Sequence, residues 1–189
     1  NPFVDRSDTL NLRTGNPFLL PEFINSYELN YLRSFKKGSI SVGLYLREIR
    51  DIISRFTEND ASTGVSTRSF VNLNQGRNYG MEVVGTIRPS RKVSFNLSAN
   101  AYRTEVDASN QEADLNAAGY LFRGRIQSNI TILKDFGMQI SGFYRSPGVR
   151  PQGEIKAIYS FDFGLRKPIM KGKGNLTLRA TDLFNTRRW

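Results

Sequence analysis

A period of two in hydrophobicity is the feature that most constrains how this chain folds. In Val93–Tyr102 the odd positions are Val, Phe, Leu, Ala and Ala, and the even positions are Ser, Asn, Ser, Asn and Tyr. Successive side chains of a β-strand point to opposite faces, so this alternation predicts a strand with one apolar and one polar face. It recurs in eight segments near residues 24–35, 39–56, 70–88, 92–105, 120–133, 137–146, 157–167 and 174–184.

The connections between these segments alternate in length. Four are compact and contain Gly or Pro: Lys36–Gly38, Pro89–Arg91, Lys134–Gly137 and Pro168–Gly174. Three are longer and polar: Thr57–Arg68, Asp107–Gly119 and Pro147–Lys156. Alternating lengths predict up-and-down hairpins with short turns at one end and long loops at the other, as in outer-membrane barrels with short periplasmic turns and long extracellular loops. Residues 1–23 lack alternation and are predicted to be an extracellular loop segment that precedes the strands.

The apolar positions form bands of about 9–11 residues, the length that crosses a bilayer at a tilt of about 45°. Aromatic residues stand at band ends, as in interfacial girdles, at Tyr79, Phe122 and Tyr144. Two segments of about 18 residues exceed the usual strand length of about 5–6 and suit a tall barrel wall. These features favour an apolar face toward lipid over an apolar face inside a soluble barrel. Two charges fit this scheme poorly: Arg33 beside a short turn, and Asp182, where we expect a bulge.

The composition argues against an enzyme. Among its 189 residues the chain has no Cys and no His, so it lacks the thiol nucleophile, the commonest general base and the commonest metal ligand. We expect no catalytic residue, metal site or cofactor. The net charge of +10 raises the possibility of nucleic-acid binding, but no Lys/Arg cluster lies on a predicted helix and no motif indicates a groove reader. We therefore expect no nucleic-acid partner.

The polar face carries charges that a wet lumen tolerates better than a dry core. The candidate lumen-lining residues are Glu28, Glu82, Arg123, Arg125, Arg145, Asp162 and Arg179. We expect the two glutamates to pair with lumen arginines of the wall rather than to bind cargo. Arg123 and Arg125 are candidates for a path taken by an anionic cargo, and the favoured alternative is that they pair with a domain inside the barrel.

Several short motifs follow one another in a familiar order. They are Thr14–Glu22 with Ser26–Tyr31, then Tyr45–Ile53, Asn78–Val83 and Ala180–Asn185. In this order and spacing they resemble the "gly-asn-pro…leu-x-pro-glu, tyr-glu-leu", "arg-asp-ile-ile", "tyr-gly-x-glu" and "asp-leu-phe-asn" passages of TonB-dependent receptor barrels. The likeness is to the subfamily whose members often begin with a carboxypeptidase-regulatory-like domain.

The resemblance implies an antiparallel transmembrane β-barrel of about 22 strands in the bacterial outer membrane. These 189 residues would form about eight of those strands, with no plug domain among them. The implied partners are outer-membrane lipid, the rest of the barrel, the plug, TonB and a small nutrient, which is a siderophore, glycan, peptide or vitamin. Two alternatives remain open: a complete small eight-stranded outer-membrane barrel with a structural or adhesive role, and a soluble lipocalin-like ligand-binding barrel.

Overall fold

The computed structural model describes residues 4–111, 116–133 and 135–187. These residues form twelve strands and one turn of 3₁₀ helix at Met170–Gly172. Two short strands come first, and eight long strands follow, with a small hairpin between the sixth and seventh of them. The strands are β1 Val4–Asp5, β2 Asn11–Thr14, β3 Phe23–Phe35, β4 Gly38–Asp60, β5 Val65–Ser90, β6 Val93–Asp107, β7 Ala117–Leu133, β8 Phe136–Arg145, β9 Gly148–Val149, β10 Glu154–Ile155, β11 Ile158–Ile169 and β12 Gly174–Ala180.

The eight long strands lie side by side in chain order and pair antiparallel throughout, from β3 to β8 and then β11 and β12. Each corresponds to one of the eight alternating segments, so the predicted all-β, up-and-down topology is confirmed. Because neighbouring strands run in opposite directions, the four compact turns lie at one end of the sheet. The connections 61–64, 108–116 and 146–157 lie at the other end, which confirms the predicted placement of the two sets of connections at opposite ends.

The prediction of a long loop at Thr57–Arg68 was wrong. The β4–β5 ladder continues to the pair Asp60 and Val65, which leaves a turn of residues 61–64. Asp60 closes that turn, since its carboxylate accepts hydrogen bonds from the Ser62 and Thr63 hydroxyls and the Ser62 amide. These bonds, with those from Ser62 the largest contribution, lower the pKa of Asp60 to about 2. Alternation is lost here because both faces of the hairpin are polar, although the backbone stays paired.

The cross-strand register brings the apolar positions of all eight strands onto one face. Leu29 is opposite Leu44, which is opposite Met81 on the next strand. Lower on the sheet Leu97 is opposite Ile126. Directly opposed residues of antiparallel strands project to the same side, so these positions form one continuous apolar face, as predicted. Their side chains are uncovered: the exposed fractions are 44% for Leu97 and 49% for Ile126.

This sheet has almost no core of its own. Among the described residues, Leu73 and Ala108 are the only apolar residues whose side chains are buried. Because burial of apolar surface is the main favourable term in water, a single-layer sheet with one fully exposed apolar face needs another phase to cover that face. No helix among the described residues is long and apolar enough to cross a membrane.

The apolar face ends in an aromatic and charged border on the side of the longer connections. Tyr79 is opposite Arg103, which is opposite Tyr120. Arg103 donates to the Tyr120 hydroxyl at 3.1 Å and pairs with Glu105 at 2.8 Å. One row further out, Arg77 pairs with Glu48 across the strands at 3.3 Å. Aromatic rings followed by paired charges are the expected composition of a membrane–water interface.

The segment predicted to be a loop, residues 1–23, contains β1 and β2. Strand β2 pairs parallel with β5 at Ser66–Arg68, beyond the end of the β5–β6 ladder at Gln75. After β2 in the chain, the Asn16 side-chain amide donates a hydrogen bond to the Phe70 carbonyl at 3.0 Å. The Glu22 carboxylate accepts one from the Ile53 backbone amide at 3.0 Å. The Gly-Asn-Pro…Pro-Glu motif thus holds this segment against the tall β4–β5 hairpin, which would otherwise present unpaired backbone groups.

The two outer strands of the sheet have open edges. Strand β3 pairs only with β4 and β12 only with β11, and no ladder joins β3 to β12 within the described residues. A closed eight-stranded barrel, whether in a membrane or of the lipocalin type, needs that ladder. The described residues therefore form an open curved sheet, and the apolar face is not turned into a cavity.

The last predicted strand ends earlier than expected. The segment 174–184 is strand only to Ala180, and Asp182 has a positive φ of 51°. The expected bulge near Asp182 is therefore wrong: the chain leaves the strand and turns. The Asp182 amide donates to Asp162 at 2.9 Å, and the Asp182 carboxylate accepts from the Thr186 and Arg187 amides. Asp182 is in the left-handed backbone conformation and its carboxylate binds nearby backbone amides. This explains why a charged residue occupies a position that the alternation assigned to the apolar face.

Gly80 is expected to be intolerant of any side chain. A Cβ added there would lie 2.3 Å from the Ala101 carbonyl oxygen and 2.4 Å from the Tyr102 Cβ, so the backbone would have to move. We expect Gly80→Ala to lower the free energy of unfolding by about 1–3 kcal/mol, the usual effect of overpacking. The matched control is Gly85→Ala on the same strand, where the nearest atom is at 3.8 Å. Equal midpoints for the two variants in denaturant unfolding would contradict this.

Candidate lumen-facing site

The polar face of the sheet carries all seven residues predicted to line a lumen. They are Glu28, Glu82, Arg123, Arg125, Arg145, Asp162 and Arg179. Register assembles several of them into one row across four strands: Glu82 is opposite Asn100, then Arg123, then Arg145. Arg125 stands two positions from Arg123 on the same face of β7. Glu82 and Arg145, which are 63 positions apart in the chain (145 − 82), are thereby placed in the same row.

Two depressions are lined mostly by residues of the polar face, so we take this face to be the concave one. The first has a volume of about 480 Å³, and among its lining residues are Tyr45, Glu82, Asn100, Tyr102, Arg123 and Arg125. The second has a volume of about 440 Å³, and it is lined in part by Gln139, Asp162, Arg166, Thr177 and Arg179. A smaller depression brings Glu28 beside Glu82. Apolar residues also contribute to the lining, with Phe143 in the first depression and Ile130, Met138, Phe163 and Leu165 in the second.

The first depression is spanned by a tyrosine. The Tyr45 hydroxyl on β4 lies 3.0 Å from the Asn100 Oδ1 on β6, with β5 between the two strands. The β5 residue directly opposite Tyr45 is Gly80, which leaves the phenol ring room to cross. Tyr45 and Asn100 thus line the same depression as Glu82, Arg123 and Arg125.

The charges on this part of the polar face are unevenly paired. Glu28 pairs with Arg47 at 3.3 Å, with both side chains about half exposed, so the predicted pairing of this glutamate with a wall arginine is observed. A pair this exposed adds little stability. No ion pair is found for Glu82, Arg123, Arg125 or Arg145 within the described residues.

Three arginines therefore leave an excess of positive charge on this part of the concave face. The Arg125 guanidinium lies 5.9 Å from the centre of the Phe143 ring, a cation–π distance that fixes the side chain without neutralising it. Arg123 and Arg145 are directly opposite each other. The Nε of Arg145 is buried and has no hydrogen-bond partner among the described residues. Such a donor in a native structure calls for a partner that the described residues do not provide.

The second depression has a different arrangement. Asp162 lies 3.7 Å from the Arg187 guanidinium, which also donates to the Ser160 hydroxyl at 2.9 Å. Ser160 is 1% exposed, so this contact closes the end of β11. Arg179 borders the same depression without an ion pair among the described residues. The structure thus separates Asp162 and Arg179 from Arg123, Arg125 and Arg145, which we call the arginine row.

Sequence analysis missed three contributors to these sites. Tyr45 and Arg47 could have been found by extending the alternation of β4, because Gly43, Tyr45 and Arg47 occupy every second position. Arg187 has no such signal, since it lies beyond the last strand and reaches Asp162 only through the Asp182 turn. Within the described residues, no three Asp or Glu side chains are placed to hold a metal ion.

The geometry defines a class of protein. A single-layer antiparallel sheet is apolar and exposed on its convex face, bordered by aromatic residues, and polar on its concave face. This is the wall of a transmembrane β-barrel, because in lipid each backbone group must be paired within the sheet and the apolar side faces the acyl chains.

Comparison with protein families agrees with this class. The model of the outer membrane protein beta-barrel family matches residues 1–189, so the chain belongs to that family and is located in the outer membrane. A comparison with curated proteins finds no match.

Proposed function

We propose that this chain is part of the barrel wall of a TonB-dependent receptor that imports a nutrient across the outer membrane. The ordered motifs at Thr14–Glu22, Tyr45–Ile53, Asn78–Val83 and Ala180–Asn185 support this, because together they resemble that group of barrels. The role proposed is binding and transport without catalysis. A chain without His or Cys has few groups for acid–base or nucleophilic chemistry.

The open edges of β3 and β12 support a barrel with more strands. In lipid an unpaired backbone amide or carbonyl costs several kcal/mol, so spanning sheets are closed. With no ladder between β3 and β12 in the described residues, closure requires strands beyond these eight. A barrel of about 22 strands, enclosing a plug, is the size that the resemblance implies.

The unpaired arginine row carries the proposal. Arg123, Arg125 and Arg145 stand on the concave face without carboxylate partners among the described residues, and the Arg145 Nε is buried without an acceptor. In a receptor of this group the interior is filled by a plug domain. We propose that carboxylates and backbone carbonyls of the plug accept these donors, and that TonB acts on a segment outside these 189 residues. The cargo remains open among siderophore, glycan, peptide and vitamin.

Uptake in cells tests the proposal. A strain lacking the gene is compared with its parent for growth on limiting ferric siderophores, glycans, peptides and corrinoid vitamins, and a strain lacking TonB is grown beside them. We expect the gene deletion to abolish growth on one of these nutrient classes and the TonB deletion to abolish it as well. The native gene on a plasmid should restore growth only where TonB is present.

The arginine row is tested in the same strains. Arg123→Gln with Arg125→Gln should reduce uptake of that nutrient at least tenfold, because plug docking loses two charge-assisted contacts of roughly 1.5–3 kcal/mol each in a site away from bulk water. The control is Arg55→Gln with Arg68→Gln, on the tall hairpin outside the row. A gene deletion that leaves growth on every nutrient unchanged, and only makes the cell envelope leaky, would indicate a structural barrel instead.

A further inference from the structure

The net charge of the protein is concentrated at the end of the sheet that carries the short turns. Nine cationic residues belong to the turns or the last strand positions before and after them: Arg33, Lys36, Lys37, Arg88, Arg91, Lys92, Lys167, Lys171 and Lys173. Asp135 is the only acidic residue described there. This end therefore holds +8 of the total net charge of +10. Lys134 belongs to the same region of the sequence but lies outside the described residues.

These nine side chains, which we call the turn cations, form no ion pair within the part of the chain that the structure describes. All nine residues are exposed. Four arginines elsewhere on the sheet, Arg47, Arg77, Arg103 and Arg187, each pair with an acidic residue. The charge of the turn cations therefore has no counterpart among the described carboxylates.

Large apolar residues alternate with the turn cations. Phe35 is 46% exposed and precedes Lys36, Met170 is 75% exposed and precedes Lys171, and Leu133 at the β7–β8 turn is 69% exposed. Met170 and Lys171 also have positive φ angles of 53° and 55°, a conformation that favours glycine. An exposed apolar side chain beside a cation suits the boundary between acyl chains and headgroups, where the apolar part inserts and the charge meets phosphate.

Two of the cations stand on the lipid-facing side itself. Arg33 is opposite Ile40, and Lys167 is opposite Leu176, both within the apolar face. Each lies toward the turn end of its strand, so a long side chain reaches the headgroup layer without a charge remaining among acyl chains. A soluble acidic partner would meet the turns but not these two residues.

We propose that the turn cations form a belt that binds anionic glycerophospholipids, through their headgroup phosphates, in the periplasmic leaflet of the outer membrane. Short turns of this class of barrel face the periplasm, and basic residues beside a bilayer attract anionic lipid. The belt fixes the depth of the barrel in the membrane and enriches anionic lipid around it. This inference needs the outer-membrane location of the family and does not depend on TonB or on any nutrient.

Lipid selectivity at the protein surface tests the belt. The full-length protein is reconstituted in phosphatidylcholine bilayers with trace spin-labelled phosphatidylglycerol or spin-labelled phosphatidylcholine. The motionally restricted fraction gives the relative association of each lipid. We expect the native protein to prefer phosphatidylglycerol, and Lys36→Gln, Lys37→Gln, Lys171→Gln and Lys173→Gln combined to lower that preference about fivefold, the factor that corresponds to about one basic residue per headgroup.

A matched variant removes the same charge from the opposite end. Arg6→Gln, Arg13→Gln, Arg68→Gln and Arg150→Gln combined should leave the preference unchanged. Raising the salt to about 1 M, where the screening length is about 3 Å, should abolish the preference of the native protein even if a variant fails to fold. Equal association of the two lipids with the native protein overturns the proposal. A preference that is retained in the turn variant also overturns it. The same holds if the native protein binds soluble polyglutamate but shows no preference for phosphatidylglycerol.

Discussion

Replacing Leu97 with Arg is expected to destabilise the protein in a bilayer by about 2–4 kcal/mol, while the same change at Asn96 costs far less. The two residues are neighbours on β6 but project to opposite faces. Leu97 is opposite Ile126 and Gly85 within the apolar face. Asn96 faces the lumen, where the Thr86 hydroxyl lies 3.1 Å from its side-chain oxygen. The midplane penalty for a charge on the lipid face of a barrel is of this size.

The measurement is reversible unfolding of the full-length protein from lipid vesicles in guanidinium chloride. Ile130→Arg and Asn129→Arg on β7 form a second pair of the same design, since Ile130 is opposite Val93 and Met138 on the apolar face. Asn129 has its amide 3.4 Å from the Ser94 hydroxyl on the polar face. Equal costs within either pair would show that the assignment of the lipid-facing side is wrong.

Asp182→Ala is expected to lower the free energy of unfolding measurably. Its carboxylate accepts the amides of Thr186 and Arg187 at 3.0 Å each and the Thr186 hydroxyl at 2.9 Å. Removing the carboxylate takes the acceptor away from two backbone amides and one hydroxyl, so the turn loses the hydrogen bonds that hold it. The turn also places the Thr186 hydroxyl against the Tyr159 carbonyl and Arg187 against the Ser160 hydroxyl. These contacts satisfy the part of β11 that β12 does not reach, and we expect the variant to lose them as well.

Thr181→Ala is the matched control for Asp182→Ala, because Thr181 is the preceding residue, is exposed and forms none of the side-chain hydrogen bonds of the turn. Denaturant unfolding compares the two variants, and hydrogen exchange of the Thr186 and Arg187 amides reports the turn directly. We expect fast exchange of both amides in Asp182→Ala and protection in Thr181→Ala. Unchanged protection in Asp182→Ala would mean that the backbone holds the turn without the carboxylate.

Local patterns were sufficient for the strands and their faces. In β6 the alternation from Val93 to Tyr102 fixes both the strand and the side on which each residue lies, because the period of a pleated strand is two whatever its neighbours do. The order of the strands followed too, since compact turns such as Lys36–Gly38 can only join adjacent antiparallel strands. Arg33 beside such a turn was correctly placed on the apolar face.

Patterns failed where both faces are polar or where side chains replace the backbone ladder. The tall tip of β4–β5 beyond Phe56 has no alternation, yet its backbone remains paired to Asp60. The end of β12 retains alternating letters to Phe184, yet the strand stops at Ala180 because Asp182 offers its carboxylate to the backbone of Thr186 and Arg187. Competition between side-chain and ladder hydrogen bonds is decided by neighbours in space.

The sequence by itself determined that this protein is a sheet of eight antiparallel strands with one face for lipid and one for water, since both properties follow from the period of two and the turn residues. Only the tertiary structure decided which charges meet. Glu82, Asn100, Arg123 and Arg145 share a row because four strands pair in one particular register. Register depends on contacts between residues far apart in the chain, and a shift of two residues would keep every face while separating every member of that row.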